Sequence, residues 1–367
     1  FTVAGGILAH SGSPKRLVDL ANSMFGKFPG GIAIIALVVC SFFTAFTGAS
    51  GVTIIALGGL IYPMLMARGY GEKFSLGMVT TTGSLGLLLP PSLPLILYGI
   101  VAQVNIDDLF RAGIVPCLVL VVLLGLWSMI KERSIDKLGL QVNQPQPLAR
   151  LPIRQALWQA RYEIPLPVII IGGIYGGFFT TVESATMVLI YTMLMTFVLY
   201  KDIPISKMGE IIAESMALKG AVLLILLCAL GLTNYLVDQE IPNLILDTFR
   251  SQISSQWAFL FALNIFLLCV GSMMDILSAI IVVLPLIIPM ANEFEVHPIH
   301  LAMIFLTNLE IGFITPPLGI NLFISSQRFK KPIMLLYKAT IPFVILQFVA
   351  LQLITYIPIL SLFAVKH

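Results

Sequence analysis

The chain has 367 residues, of which 58% are apolar and 11% charged, with a net charge of +3 and a mean hydropathy of +0.99. Soluble domains carry about 45–50% apolar and about 25% charged residues, and a soluble fold of this length cannot hide the excess, because much of any folded surface meets water. The composition excludes an ordinary soluble enzyme, a disordered tail and a nucleic-acid-binding domain, and predicts an all-α polytopic protein in a lipid bilayer.

In chain order, apolar stretches fall at Ile32–Met66, Leu76–Ala102, Gly113–Ile130, Ile164–Phe179, Ala185–Tyr200, Ala217–Val237, Trp257–Met274, Leu277–Ala291, Leu301–Ser325 and Ala339–Val365. A helical span needs about 20 residues. Ile32–Met66 is too long for one span and predicts an internal turn, whereas Leu277–Ala291 is short and predicts half of a re-entrant hairpin. No ten-residue alternation suggests a barrel, so helices are expected. The longest polar segment, Lys131–Glu163, holds six basic residues (Lys131, Arg133, Lys137, Arg150, Arg154, Arg161) against three acidic ones, and the charge rule places it in the cytoplasm. Gln141–Pro147 (QVNQPQP) has linker composition. Three segments follow: a first repeat at 1–130, a connecting segment at 131–163 and a second repeat at 164–367. A second basic cluster, Gln327–Lys338, is also expected in the cytoplasm, and the acidic loop Glu293–Glu295 outside.

The repeat rests on one ungapped offset. Pro63-Met64 and Pro90-Pro91 recur 226 residues later as Pro289-Met290 and Pro316-Pro317, and the same shift sets Gly86 on Gly312, Thr82 on Asn308 and Ala49 on Asp275. A Pro-Pro pair cannot continue a regular helix. Broken backbone is costly against lipid but useful against a cavity, where free carbonyls and helix ends meet ions, as in secondary transporters built from two related halves. Each copy also has a break before its Pro-Met pair: Thr47–Gly51 in the first, Gly271–Asp275 in the second. Equivalent copies would leave the first short of roughly 60–70 residues, about two spans, in keeping with a chain that opens on Phe1 rather than Met.

Acidic residues beside apolar runs are expensive unless paired, solvated or bound to a cation. Asp275 reads as a cation ligand, a hairpin-positioning group or a helix cap. Glu310 reads as a neighbour of a cation or an acceptor for backbone donors. Glu183 sits in the first turn of a helix capped by Thr180 or Thr181. Neutral oxygens gather at the breaks: Ser50, Thr53, Thr82, Ser84 and Ser92 in the first copy, Asn308, Thr315, Asn321 and Ser325 in the second. Sodium takes hard oxygen donors of this kind, and an organic carboxylate is held by hydroxyls, Asn amides and half-helix N-termini. Signals for other chemistry are poor. There is no GxxxxGK[ST] loop; Ser50 lacks a nearby His for a triad; His297 and His300 lack acidic co-ligands for zinc. The four cysteines, Cys40, Cys117, Cys228 and Cys269, form no CxxC and read as buried thiols.

Several blocks resemble the large membrane subunit (DctM-like) of tripartite ATP-independent periplasmic (TRAP) transporters: Phe1–Gly6 with His10–Gly12, CSFFTAFTGASGVTIIALGGLIYPMLMARGY (Cys40–Tyr70), GLLLPPSLPLILYG (Gly86–Gly99), GGIYGGFFTTVESA (Gly172–Ala185) and NLEIGFITPPLGINLFI (Asn308–Ile324). The first tip reads TGAS where the family more often reads SGSS. The resemblance implies a multi-pass protein of the bacterial inner membrane, with two inverted repeats, two re-entrant hairpins and an elevator movement. It implies Na+-coupled import of C4-dicarboxylates, sugar acids or other organic anions, together with a small TRAP membrane subunit and a periplasmic substrate-binding protein. By position it assigns Na+ ligation to Thr47, Ser50, Gly86, Pro90, Asp275, Gly312, Thr315 and Pro316, and among the hydroxyls and Asn amides at the breaks, Ser50, Ser92, Asn308 and Asn321 are the expected substrate contacts. Two other readings stay open from the residues alone: a stand-alone Na+-coupled carrier, and an inactive membrane scaffold.

Overall fold

The computed structural model describes residues 1–26, 30–137, 151–239 and 255–365; the linker composition at Gln141–Pro147 and the basic residue Arg150 lie outside the described residues. No strand occurs among them. Helices α1 (Thr2–His10) and α2 (Ser13–Phe25) precede α3 (Gly31–Thr47). Gly30 and Gly48 bracket α3 at φ 78° and 66°, left-handed values that a residue without Cβ adopts freely. The chain then folds back through α4 (Ser50–Ala56) and α5 (Gly58–Ala67), which bend by 54° where they meet. The long apolar stretch Ile32–Met66 thus holds the expected turn, at Gly48-Ala49.

Next come α6 (Glu72–Thr82), a 3-10 turn at Leu85–Leu88, and α7 (Leu93–Ala102), with a 43° bend across the Pro-Pro break. Helix α8 runs over Ile106–Lys137. A short helix, α9 (Ile153–Gln159), leads to a continuous helical stretch, Pro165–Tyr175, whose middle (Val168–Gly172) is π-helical, and to α10 (Thr181–Met193) and α11 (Met208–Asp238). At the start of α10 the Thr180 hydroxyl accepts from the Glu183 amide and Glu183 accepts from the Thr180 amide, a complete capping box. The last part comprises α12 (Gln256–Met273), α13 (Ile276–Val282), α14 (Leu284–Glu293), α15 (Pro298–Gly312), α16 (Ile320–Phe329) and α17 (Ile333–Tyr356).

The 226-residue offset reappears in three dimensions. Helices α4 and α5, shifted by it, fall on α13 and α14 at both ends, and α6 starts where α15 starts. The α13–α14 bend is 59°, and Pro63 and Pro289 occupy matching positions inside α5 and α14. Among the described residues, four helices are long and apolar enough to cross a membrane, or seven spans if each bent pair counts as one. The molecule is an all-α polytopic membrane protein.

Helix α15 is the centre: every residue from Ile299 to Gly312 is buried, which an all-round apolar pattern requires. The copies interlock around it. Helix α4 packs on α16 and α13 on α7, while α6 packs on α17 and α15 on α8. Each copy therefore buries its hairpin and its broken helix against the other copy. Outward faces of α10, α11 and α12 expose Ile190, Leu224 and Phe261, as lipid-facing helices do. Cys40 and Cys117 are buried as expected, but Cys228 and Cys269 are exposed. Apolar sequence surroundings in a membrane protein signal lipid as readily as protein interior, which is why burial fails for those two.

Candidate functional site

The first hairpin tip, Thr47–Ser50, is placed by the αL turn at Gly48, where an added Cβ would lie 3.0 Å from Leu93 at the head of α7. The tip thus abuts the residue that follows the first Pro-Pro break. Ser50 opens α4 and donates from its hydroxyl to Asn321 Oδ1 at 2.6 Å in a buried setting. Asn321 Nδ2 reaches the Thr80 carbonyl at 3.4 Å, and the Thr80 hydroxyl donates to Ser325 Oγ at 2.9 Å. These four side chains join α4, α6 and α16. Behind them, Thr44 Oγ1 pairs with Thr53 Oγ1 at 2.7 Å and donates to the Gly83 carbonyl at 2.8 Å. The Thr47 hydroxyl stays on its own turn, 3.5 Å from the Thr44 carbonyl and 3.4 Å from that of Ala49.

The second tip is built alike. Asp275 caps α13, its carboxylate accepting from the Leu277 amide at 3.0 Å. The Ser272 carbonyl accepts from the Leu318 amide at 3.1 Å, so this tip abuts the second Pro-Pro break. Thr315 donates to the Ile311 carbonyl at 2.8 Å, and Pro316 is exposed while Pro90 is half-buried. Both Pro-Pro bonds are cis.

Glycine sets how closely the broken helices approach the hairpins. A Cβ on Gly312 would collide with the Gly271 backbone of α12, and one on Gly86 with the Ser41 carbonyl of α3. A Gly86 Cβ would also sit 2.8 Å from the Ala45 amide, and Ala45 is the 226-offset counterpart of Gly271. The same close pair of backbones is thus made twice.

The remaining expected residues divide. Ser92 occupies the N-cap position of α7 without capping it: its fully buried hydroxyl has no hydrogen-bond partner among the described residues. Asn308 turns instead to α12: its Nδ2 donates to Asn264 Oδ1 at 2.7 Å and to the Ile304 carbonyl at 2.8 Å, leaving Oδ1 unpartnered. Asn264 continues to Thr355 at 3.1 Å, and the Thr355 carbonyl to His300 at 3.1 Å. Glu310 is fully buried, and neither carboxylate oxygen has a partner among the described residues. It does not serve backbone donors, one of the two roles expected for it. An ionised carboxylate so placed is costly unless a cation or a proton joins it. Thr44, Thr80 and Asn264 were not singled out from the sequence. Thr80 had a signal, since it opens the Thr-Thr-Thr run that ends α6, ten residues before Pro90; Thr44 and Asn264 had none.

Outside the membrane-spanning helices, Arg16 on α2 binds Glu163 at 2.5 Å and Asp202 at 2.7 Å. Burial works against the guanidinium charge, yet the hydrogen bonds to Asp202 and Glu163 hold its pKa above the usual arginine value. Glu163 also accepts from Ser13 at 3.0 Å and from the Tyr200 hydroxyl at 2.8 Å. This network clamps α2 to the segment that follows α9.

Hairpin tips that meet broken helices, made twice in one chain, are the architecture of secondary transporters built from related halves. The sequence profile described as "Tripartite ATP-independent periplasmic transporter, DctM component" matches residues 1–360. The C4-dicarboxylate TRAP transporter large permease protein DctM of Pseudomonas aeruginosa is 34% identical over 365 residues, covering 99% of this chain and 84% of that protein. The isethionate TRAP transporter permease protein DctMQ of Oleidesulfovibrio alaskensis is 32% identical over 363 residues, covering 99% of this chain and 56% of that protein. The ectoine TRAP transporter large permease protein TeaC of Halomonas elongata is 29% identical over 364 residues, covering 99% and 84%. The chain spans little more than half of the DctMQ protein it matches. It belongs to the DctM family of TRAP transporter large permeases, which are proteins of the inner membrane.

Proposed function

We propose that this permease imports a small organic anion with Na+, by movement of the hairpins and broken helices as one body across the membrane. In this reading the repeats at 1–130 and 164–367 are inverted, the segment at 131–163 is cytoplasmic, and the transported anion is a C4-dicarboxylate or a related carboxylate or sugar acid. The observation that carries the proposal is the doubled arrangement of tip against break, which brings carbonyls, hydroxyls and helix ends together in each copy. Na+ takes its oxygens from the tips (Thr47, Ser50, Asp275) and from the backbone near Gly86, Pro90, Gly312, Thr315 and Pro316. The anion lies against Ser50, Ser92, Asn308 and Asn321. The unpartnered Ser92 hydroxyl supplies a donor for the carboxylate that the protein itself does not use, and Asn308 Oδ1 an acceptor for a hydroxyl of the solute. A small membrane subunit and a periplasmic binding protein complete the system, the second delivering the anion. Coupling arises because each ligand binds the loaded state better when the other is present.

The test is uptake of labelled succinate, isethionate and a sugar acid into proteoliposomes containing the permease and its small subunit. The binding protein and an inward Na+ gradient are each present or absent. The proposal requires uptake that needs both. Uptake with Na+ but without the binding protein would point to a stand-alone carrier.

A further inference from the structure

Helix α2, helix α9 and Tyr200 line an open cleft of about 690 Å³, and a second of about 470 Å³, lined by Arg154, Leu157 and Trp158, shares Trp158 with it. Neither takes part in the hairpin and broken-helix site. Lys15 and Arg161 face the first cleft and Arg154 the second. Arg16 also lines the first, but its charge is already matched by Glu163 and Asp202. Arg154 and Arg161 have no ion pair among the described residues, and Asp19, the one acidic side chain facing the first cleft, feels the charge of Lys15 one turn away without forming a salt bridge with it. Base is therefore in excess. Arg161 is also held in place: its guanidinium lies 4.3 Å from the Trp158 ring centre and 4.4 Å from that of Tyr162, and one N–H group donates to the Trp158 carbonyl at 2.8 Å. A fixed guanidinium with spare donors suits a phosphate oxygen.

The same short helix is apolar on its outside. Trp158 is 67% exposed, and Ile153 and Leu157 are exposed beside it, while Ala156 packs inward toward α2. Six residues after Trp158 the apolar run toward Tyr175 begins. A Trp flanked by arginines at the end of an apolar run marks the headgroup level of a bilayer.

We propose that this paired cleft binds the headgroup of an anionic phospholipid, its phosphate between Lys15 and Arg161 and its acyl chains along Ile153 and Leu157. Charge complementarity selects an anionic over a zwitterionic lipid, and the apolar strip selects a lipid over free phosphate. The bound lipid fastens α2, and with it the entry to α3, to one leaflet.

The test uses the purified permease with its small subunit, incubated with equal amounts of phosphatidylglycerol and phosphatidylcholine and read by native mass spectrometry. The protein is expected to retain phosphatidylglycerol preferentially, and Lys15→Gln, Arg154→Gln and Arg161→Gln each to weaken that retention roughly five-fold. Arg161→Lys, which keeps the charge, is expected to lose less than Arg161→Gln, and Trp158→Ala to lose retention with an unchanged melting temperature. Equal retention of the two lipids, or undiminished retention in the triple Gln variant, would overturn the proposal. So would inorganic phosphate displacing the lipid at comparable concentration, which would make the cleft a free-anion site. Retention by the isolated permease that vanishes with the small subunit would overturn it too, because the cleft would then be a subunit contact.

Discussion

Ser50 and Asn321 are 271 positions apart in sequence and 2.6 Å apart in space. A buried hydrogen bond of this kind contributes about 1 kcal/mol, and removing one partner costs about 1–3 kcal/mol by stranding the other. Ser50→Ala and Asn321→Ala are each expected to lower the melting temperature, and the double variant to lose less than the sum; strict additivity in that cycle would show that the two side chains are not coupled. Asp275 separates two roles cleanly. Asn caps a helix as well as Asp does, so Asp275→Asn keeps the α13 cap and removes the charge. Membrane abundance is expected to hold while Na+-dependent uptake falls; parallel loss of both would assign Asp275 to folding alone. Asp275→Ala also removes the cap and is expected to cost a further ~1 kcal/mol.

At the scale of elements, packing depends on glycine where the broken helices cross the hairpins. Gly312→Ala must push apart two backbones that have no flexible side chain between them, and Gly86→Ala meets the Ser41 carbonyl. Each is expected to destabilise by about 1–3 kcal/mol, read as a drop in the melting temperature of the purified protein. Gly71→Ala, where an added Cβ has nothing within 4 Å, is the control. Arg16→Gln strands Glu163, which is 1% exposed, and breaking such a pair costs about 3–5 kcal/mol; Arg16→Gln with Glu163→Gln is expected to recover part of it. These elements were legible to different degrees. The turn in Ile32–Met66, the shortness of Leu277–Ala291 and the Thr180–Glu183 cap could all be read directly, because length, proline and capping residues act locally. That α4 seats on α16, and α13 on α7, could not, because no periodicity within one helix says which distant helix its buried face meets.

At the scale of the whole molecule, the repeat legible in proline and glycine positions is matched by a repeat of helices: the same offset carries α4 onto α13 and α5 onto α14 at both ends, and in the structure it also relates the close approach of Ala45 and Gly86 to that of Gly271 and Gly312. The interlocking of the copies follows from membrane physics. A broken helix leaves backbone groups that lipid cannot satisfy, so each break must be covered by protein, and here the other copy supplies much of the cover. The same reasoning explains the misreading of Cys228 and Cys269, since lipid substitutes for a protein interior around an outward-facing thiol. Asn308 matches Thr82 at the repeat offset and is expected at the break, yet its hydrogen bonds lead to Asn264 and through it to Thr355, a network formed by helix contacts that no motif encodes. The central claim is that anion and Na+ cross together through this doubled site. The most direct measurement follows radioactive sodium and labelled substrate in the same proteoliposomes, with wild type and Asp275→Asn compared at equal protein. The account predicts sodium entry that requires the substrate and the binding protein and that falls with substrate entry in the variant. Substrate uptake unaccompanied by sodium, at every sodium gradient applied, would contradict it.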